Sequence, residues 1–164
     1  MIFVSLGSRE YQFDRLLIKL DEFIEQGKIT DTIFAQIGQS TYLPKNYQYE
    51  RYMAVNEFKA HQQEADLIIS HGGTGALVGA LKLEKQVIAV PRLAVFGEHT
   101  DDHQLQVSHA LAEKGYLLCV EDMDTLAKAV DRLKKDPIQK KYNIPSNVVN
   151  IIDTFIKTEE KKNK

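Results

Sequence analysis

The sequence contains one cysteine, Cys119, which excludes two classes of protein. A single cysteine cannot form an intrachain disulfide framework, and it cannot supply a multi-cysteine metal cluster. Cys119 stands in the apolar run 116–120, which is typical of a strand. We therefore expect its side chain to be buried in the sheet of a fold that needs no covalent cross-link.

An excess of charge of one sign is also lacking, because 21 Lys and Arg residues balance 23 Asp and Glu residues. This balance gives no basic footprint, so we expect no nucleic-acid partner.

Long apolar runs are missing too. No stretch approaches the ~20 apolar residues that span a bilayer, and the apolar opening is too short for the core of a signal peptide. These absences predict a cytoplasmic chain.

The composition fits one globular domain. The chain has 164 residues, of which 43% are hydrophobic and 27% charged, as in soluble domains. No internal repeat or Pro/Gly/Ser-rich linker divides it, so we predict one domain over residues 1–158. A helix with an apolar face is predicted after Pro145, and the charged run 159–164 is expected to be a solvated tail.

Short apolar runs alternate with segments of helical period. This pattern is typical of an α/β fold with an open, Rossmann-like parallel sheet and helices on both of its faces. Segments 13–24 and 105–112 carry apolar residues at three- and four-residue steps, which predicts amphipathic helices. The predicted strands are 2–6, 32–37, 66–69, 86–90 and 116–120. Tyr47, Tyr49 and Tyr52 indicate a further short strand, with tyrosines in the core or on the sheet surface.

A glycine-rich loop joins one of these strands to a helix. The strand at 67–69 is followed by Ser-His-Gly-Gly-Thr-Gly at 70–75 and then by helical residues 76–81. Glycines let a phosphate approach the backbone, and the first turn of the helix offers unpaired N–H groups and the positive end of its dipole. Thr74 adds a hydroxyl donor. The loop therefore predicts an anion site, and the alternative is a tight turn without a ligand.

Two other glycine motifs fit less well. Gly73, Gly75 and Gly79, with Arg92 beyond the next strand, loosely resemble a dinucleotide fingerprint. That fingerprint follows the first strand of its sheet, whereas the first turn here, 7–10, lacks the later glycines. A Walker loop is excluded because no Lys-Ser or Lys-Thr follows the glycines.

A second polar segment, 91–104, follows the strand at 86–90. Loops at the carboxyl ends of neighbouring parallel strands line the ligand crevice of an open sheet. His99 and His103, with Glu98 and Asp102, have a spacing that also suits a divalent metal. A third distant ligand is not evident, so donor hydrogen bonding or ordering of the loop is the favoured use of these groups.

These motifs together resemble a known family. Segments 1–8, 65–75, 90–92, 97–104 and 111–116 are similar to the C-terminal, nucleotide-sugar-binding domain of family 28 glycosyltransferases, which have the GT-B fold. The resemblance is strongest to free-standing, donor-binding catalytic subunits of two-component bacterial exopolysaccharide glycosyltransferases, a branch favoured by Gly97-Glu98-His99. The related eukaryotic enzyme adds the second N-acetylglucosamine of the dolichol-linked oligosaccharide.

The resemblance implies a donor site and a set of candidate bases. The donor site predicted on this basis comprises Gly7, Ser8, Gly72, Gly73, Thr74, Gly75, Arg92, Glu98, His103 and Gln104. The candidates for the general base are His71, His99 and His103. No metal and no other cofactor is required by the implied scheme. Many relatives carry Glu where Gly79 stands and Gly where Glu84 stands, and some carry Thr-His at Ser8-Arg9.

The implied reaction is transfer of a hexose from a UDP-sugar to a lipid-linked saccharide, with inversion, in exopolysaccharide or capsule biosynthesis. A membrane-anchored subunit would bind the acceptor and recruit this cytoplasmic chain to the inner face of the cell membrane. Two alternatives stay open. One is a noncatalytic nucleotide-sugar-binding or enhancer subunit, and the other is a metal-dependent hydrolase that uses His99 and His103.

Overall fold

A computed structural model describes residues 1–145 of the chain. Its described part contains six strands and five α-helices. The predicted helix after Pro145 and the predicted charged tail lie outside the described residues, and so does the end of the predicted domain at residue 158. In chain order the elements are β1 (Ile2–Ser5), α1 (Asp14–Glu25), β2 (Ile33–Gln36), β3 (Gln48–Glu50), α2 (Val55–Glu64), β4 (Leu67–Ser70), α3 (Thr74–Lys82), β5 (Gln86–Ala89), α4 (His103–Glu113), β6 (Leu118–Cys119) and α5 (Leu126–Lys135).

The strands form one sheet in the order β3-β2-β1-β4-β5-β6. Every neighbouring pair is parallel, and the two central strands are in register with Ile2 opposite Leu67 and Ser5 opposite Ser70. The chain order reverses between β1 and β4, so the connections that leave these two strands run in opposite directions. Such a switch point opens a crevice at the carboxyl ends of both strands.

Helices cover both faces of the sheet, as the sequence predicts. Alternate residues of β1 point to opposite sides, so Val4 belongs to one core and Phe3 to the other. The first core is closed by α1 and α5 through residues such as Leu17 and Leu126. The second is closed by α3 and α4 through residues such as Leu77. Burial on both faces explains why these strands have continuous apolar runs.

The predicted strands match the structure to within a residue at each end, except the last. The run at 116–120 forms only the two-residue strand β6, and Cys119 is half-buried rather than fully buried. The physical reason is position, because β6 is the edge strand and pairs with β5 alone. The tyrosine-rich segment forms the other edge strand, β3, as expected.

Candidate functional site

A cavity of about 530 Å³ lies at the switch point between β1 and β4. Three loops supply its walls, and each follows the carboxyl end of a strand, namely β1, β4 or β5. The lining residues are Leu6, Gly7, Ser8, Arg9, His71, Gly72, Gly73, Thr74, Gly75, Ala76, Arg92, His99, Thr100, Asp101, His103 and Gln104. The structure therefore brings together all of the predicted site residues except Glu98.

The first turn of α3 forms one wall of this cavity. Gly73 is the N-cap residue in an extended conformation, and as a glycine it has no side chain that could cap the turn that begins at Thr74. The first N–H groups of a helix have no acceptor within the helix, and the helix dipole makes that end electropositive. The electropositive end of α3 therefore lies at the cavity wall, and binding of an anion there stays a prediction.

The glycines of the loop differ in what a side chain at each position would meet. Gly72 has φ +89°, a left-handed conformation that favours glycine, and a Cβ there would lie 3.1 Å from the Cα of Pro91. A Cβ at Gly73 would lie 2.5 Å from Nε2 of His71. These two glycines serve the turn, which was the alternative to a ligand site. Gly75 differs, because a Cβ there would meet nothing within 4 Å and would project into open space.

The imidazole of His71 packs beneath the loop. Its Nδ1 lies 3.0 Å from the carbonyl oxygen of Ser5, and a carbonyl only accepts, so Nδ1 carries the proton and donates. Nε2 then carries the lone pair and faces the backbones of Gly7 and Gly73. Burial, with a smaller contribution from the charge of Arg92, lowers the pKa of His71 to about 4. A group with this pKa is a weak base at neutral pH, so His71 is better suited to accept a hydrogen bond than to remove a proton.

The other two candidate bases lie on the part of the cavity lining that follows β5. Nδ1 of His99 accepts a hydrogen bond from the backbone N–H of Asp101 at 3.3 Å, and its ring lies beside Tyr11. His103 begins α4, and its backbone N–H donates to a carboxylate oxygen of Asp101 at 2.9 Å. Asp101 thus orders the segment that carries both histidines. Neither His99 nor His103 is excluded as the general base.

Arg92 borders the cavity, but its side chain serves the scaffold. The residue is 2% exposed. One Nη atom donates to the carbonyl oxygen of Tyr11 at 2.9 Å, and the other donates to that of Leu6. Its backbone N–H donates to Oε1 of Gln104 at 3.1 Å. These contacts tie the loop after β1 to the loop after β5. Both Nη atoms are thus engaged by backbone carbonyls, and donor contact by Arg92 stays a prediction.

Glu98 lies outside the cavity lining and is fully buried. Its carboxylate accepts from Nε and Nη2 of Arg15 at 2.8 and 3.0 Å, and from the backbone N–H of Leu93 at 3.0 Å. The prediction that Glu98 binds the donor is therefore corrected to the other role considered, ordering of the loop. This anchored loop exposes the side chains of Val95 and Phe96 at 81% and 50%.

A second cavity of about 390 Å³ adjoins the first and shares Gly7, Ser8, His71, Gly75 and Ala76 with it. Its remaining wall is mostly apolar and comes chiefly from α2 and the segment before it, with single residues of β1, β2 and α3. The added residues include Tyr52, Met53, Val55, Phe58 and Gly79. Sequence reasoning missed this cavity. The one signal in the sequence was the tyrosine-rich segment that ends at Tyr52. In the structure the side chain of Tyr52 is 46% exposed rather than part of the core.

The family model described as glycosyltransferase family 28 C-terminal domain matches residues 1–158. The chain belongs to this glycosyltransferase family. Over 125 residues, which are 71% of this chain, it is 27% identical to the human UDP-N-acetylglucosamine transferase subunit ALG13. The aligned region is 10% of the length of that human protein, so the chain spans only a small part of it.

Solved structures share the fold of this family 28 domain. A solution NMR structure of ALG13 has a TM-score of 0.57 at 16% identity, with 88% of this chain and 89% of that chain covered. The glycosyltransferase SnogD from Streptomyces nogalater has a TM-score of 0.59 at 23% identity, with 84% of this chain and 36% of SnogD covered. The sheet is thus the C-terminal, Rossmann-like half of a GT-B glycosyltransferase.

Two expectations from the sequence find no support. The human relative of this family 28 chain is named as a UDP-N-acetylglucosamine transferase subunit, and that name does not point to an exopolysaccharide enzyme. Within residues 1–145, the acidic, histidine and cysteine side chains that converge to metal-ligand spacing are His109, Cys119 and Glu121. The pair His99 and His103 does not belong to that group. In the described residues no helix combines the length and the apolarity needed to cross a bilayer.

Proposed function

We propose that this glycosyltransferase domain is the catalytic, donor-binding subunit of a two-component inverting enzyme, and that its donor is a UDP-sugar. The observation that carries the proposal is the position of the glycine-rich loop and the first turn of α3, which line a cavity at the switch point of the sheet. The diphosphate would lie against the backbone at Thr74 and Gly75. The sugar would then extend toward His99, His103 and Gln104.

The adjoining apolar cavity supports a nucleotide as the ligand. Its volume of about 390 Å³ and the wall formed by Tyr52, Met53 and Phe58 suit the flat ring of a nucleobase. The two cavities meet at Gly75 and Ala76. A nucleotide with its nucleobase in the apolar cavity would therefore have its diphosphate in the polar one. Gly79 stands where many relatives carry a Glu that holds the ribose. Here ribose binding would depend on other groups.

The proposed chemistry is a direct displacement. An oxygen of the acceptor hydroxyl forms a bond to the anomeric carbon while the bond from that carbon to the UDP oxygen breaks, and a base takes the hydroxyl proton. Negative charge then develops on the diphosphate. The α3 N-terminus and the loop amides are already oriented toward it, and such preorganised donors stabilise the transition state without reorganisation. His99, His103 or a residue of the partner would act as the base.

A second subunit is proposed because this sheet supplies one wall of a cleft. The matched region covers 36% of SnogD. The human relative is named as a subunit of a transferase. We propose that a membrane-anchored partner binds a lipid-linked saccharide acceptor and recruits this chain to the inner face of the cell membrane.

Two observations favour different identities for the transferred sugar. The Gly97-Glu98-His99 element favours a hexose and the exopolysaccharide or capsule branch, whereas the name of the human relative favours N-acetylglucosamine. A thermal-shift screen with UDP, GDP, TDP, UDP-N-acetylglucosamine, UDP-glucose and UDP-galactose separates them. At 100 times its Kd a ligand stabilises by about 2.7 kcal/mol, or roughly 5–11 °C in Tm for a domain of this size.

UDP is expected to raise the Tm more than GDP, and EDTA is expected to leave the UDP effect unchanged because loop amides contact the diphosphate. Loss of the shift in EDTA would contradict the proposed site. Transfer to a lipid-linked acceptor is then assayed with partner-containing membranes. A noncatalytic enhancer would raise the turnover of those membranes even when its own nucleotide binding has been removed by mutation, and a catalytic subunit would not.

A further inference from the structure

Three potential metal ligands converge at the far end of α4 from the cavity. His109 lies on α4, Cys119 lies on β6, and Glu121 follows that strand. Their ligand atoms, one from each side chain, all lie within 4.8 Å of one another. None of these residues lines the cavity at the switch point. The cluster is therefore separate from the proposed donor site.

The fold explains why these side chains meet. Residues two apart on an extended chain project to the same side, so Cys119 and Glu121 share a face of the sheet edge. His109 approaches that face from the adjacent helix, and its Nε2 is hydrogen-bonded to Oε1 of Glu121. His109 and Cys119 also line a cavity of about 710 Å³ between α4, β6 and α5. This opening leaves room for a water molecule as a further ligand.

The three ligand atoms favour one kind of metal ion. An imidazole nitrogen, a thiolate sulfur and a carboxylate oxygen are ligands of Zn²⁺, whereas Ca²⁺ and Mg²⁺ prefer oxygen ligands. Zn²⁺ binds these ligands at about 2.0–2.3 Å, which places neighbouring ligand atoms roughly 3.3–3.8 Å apart in a tetrahedron. In the cluster the ligand atoms are up to 4.8 Å apart, and Nε2 of His109 is in direct contact with Oε1 of Glu121, so the side chains must adjust to share one metal. His109 and Glu121 have side chains that are 47% and 51% exposed, so they can rotate toward a metal.

We propose that His109, Cys119 and Glu121 form a Zn²⁺ site with water as the fourth ligand. The bound metal would link α4 to the two-residue edge strand β6, which has a neighbouring strand on only one side. This proposal does not depend on the proposed glycosyltransferase function. Failure of either one leaves the other in place, because the tests use different ligands and different residues.

The test titrates the metal-free chain of 164 residues with Zn²⁺ against a chromophoric chelator and repeats the titration with Co²⁺. A thiolate bound to Co²⁺ gives a near-ultraviolet charge-transfer band. Cys119 is the only cysteine in the sequence, so the band has one possible source. We expect one Zn²⁺ per chain, the thiolate band with Co²⁺, and a higher Tm for the Zn²⁺-loaded protein.

Cys119→Ser is expected to abolish the band. His109→Gln and Glu121→Gln are each expected to weaken Zn²⁺ binding by about tenfold or more. His99→Gln is the matched control, because it removes a histidine of the other candidate cluster and should leave Zn²⁺ affinity unchanged. Circular dichroism of each metal-free variant confirms folding. Zn²⁺ affinity that survives in both Cys119→Ser and His109→Gln would overturn the proposal, and so would Zn²⁺ binding that only His99→Gln abolishes.

Discussion

Gly75→Ala is expected to change the stability of the free protein and its affinity for nucleotide in opposite directions. Gly75 lies in the first turn of α3, has no positive φ, and offers open space to a Cβ. Replacement of glycine by alanine at such a helical position stabilises by up to about 1 kcal/mol. For a domain of this size that corresponds to a rise in Tm of roughly 2–4 °C.

The same methyl group would project into the cavity at the place proposed for the diphosphate. Phosphate oxygens accept from backbone N–H groups at about 2.7–2.9 Å, a separation that leaves no room for a carbon atom between them. Loss of one charge-assisted hydrogen bond costs about 1.5–3 kcal/mol, which is roughly a 10- to 150-fold rise in Kd. At 100 times the wild-type Kd, a variant with 100-fold weaker binding would be stabilised by only about 0.4 kcal/mol instead of 2.7.

The assay compares the Tm of wild type, Gly75→Ala and Gly79→Ala with and without UDP. Gly79 lies one helical turn further along α3, is also open, and lines the apolar cavity rather than the polar one. Gly79→Ala should therefore reproduce the gain in Tm of the free protein and leave the diphosphate contacts in place, so its UDP shift should exceed that of Gly75→Ala. A full UDP shift in Gly75→Ala would refute the phosphate site. A lower Tm of its free form would refute the inference that this position is helical and unobstructed.

Four further predictions rest on other features of the domain. Burial lowers the pKa of His71 to about 4, so as the pH falls from 6.5 the unfolded chain takes up a proton at this histidine before the folded chain does. Between pH 6.5 and 4 the free energy of unfolding of wild type, measured in urea, should therefore fall by up to about 3 kcal/mol relative to that of His71→Gln. Glu84 has φ +58° and closes the C-terminus of α3, a left-handed conformation that is strained for a residue other than glycine. Glu84→Gly should therefore raise the free energy of unfolding by up to about 1 kcal/mol, and a decrease would contradict this strain. The isolated chain should bind UDP but transfer no sugar until partner-containing membranes are added, and full turnover alone would refute the two-subunit proposal. Replacing both Val95 and Phe96, which are exposed beside the cavity, with Ser should lower turnover with the partner while the UDP shift persists, whereas unchanged turnover would exclude this loop tip as a docking surface.

The sequence predicts the sheet well because of the type of sheet it is. Strands that are buried on both faces need continuous apolar runs, and those runs mark β1, β2, β4 and β5 to within a residue at each end. Membership of the cavity is also predictable, since the carboxyl ends of parallel strands meet at one edge. Glycine loops and polar segments that follow such strands must then lie close together.

The roles of individual polar residues were less predictable because their partners are distant in the sequence. Glu98 is paired with Arg15, which lies 83 residues earlier, and no local pattern in either segment indicates the pair. Arg92 has the charge of a phosphate ligand, yet it donates to carbonyls of the first loop. Spacing along the chain identifies residues at the cavity, but it does not distinguish those that contact a ligand from those that hold the walls.

The division between ligand contacts and wall contacts bears on how the site would work. The guanidinium of Arg92 and the carboxylate of Glu98 are both buried and hydrogen-bonded, so the walls around the proposed anion site are held by the chain's own contacts. A fixed site can bind a nucleotide without a partner, because preorganised donors do not need to be ordered on binding. Transfer has a further requirement, since the acceptor hydroxyl must be oriented and water must be excluded from the anomeric carbon. The loops that wall this cavity all come from one sheet, and they supply no facing surface for an acceptor. Donor binding and transfer are therefore expected to separate in this chain, with the first intrinsic to the domain and the second dependent on the facing subunit.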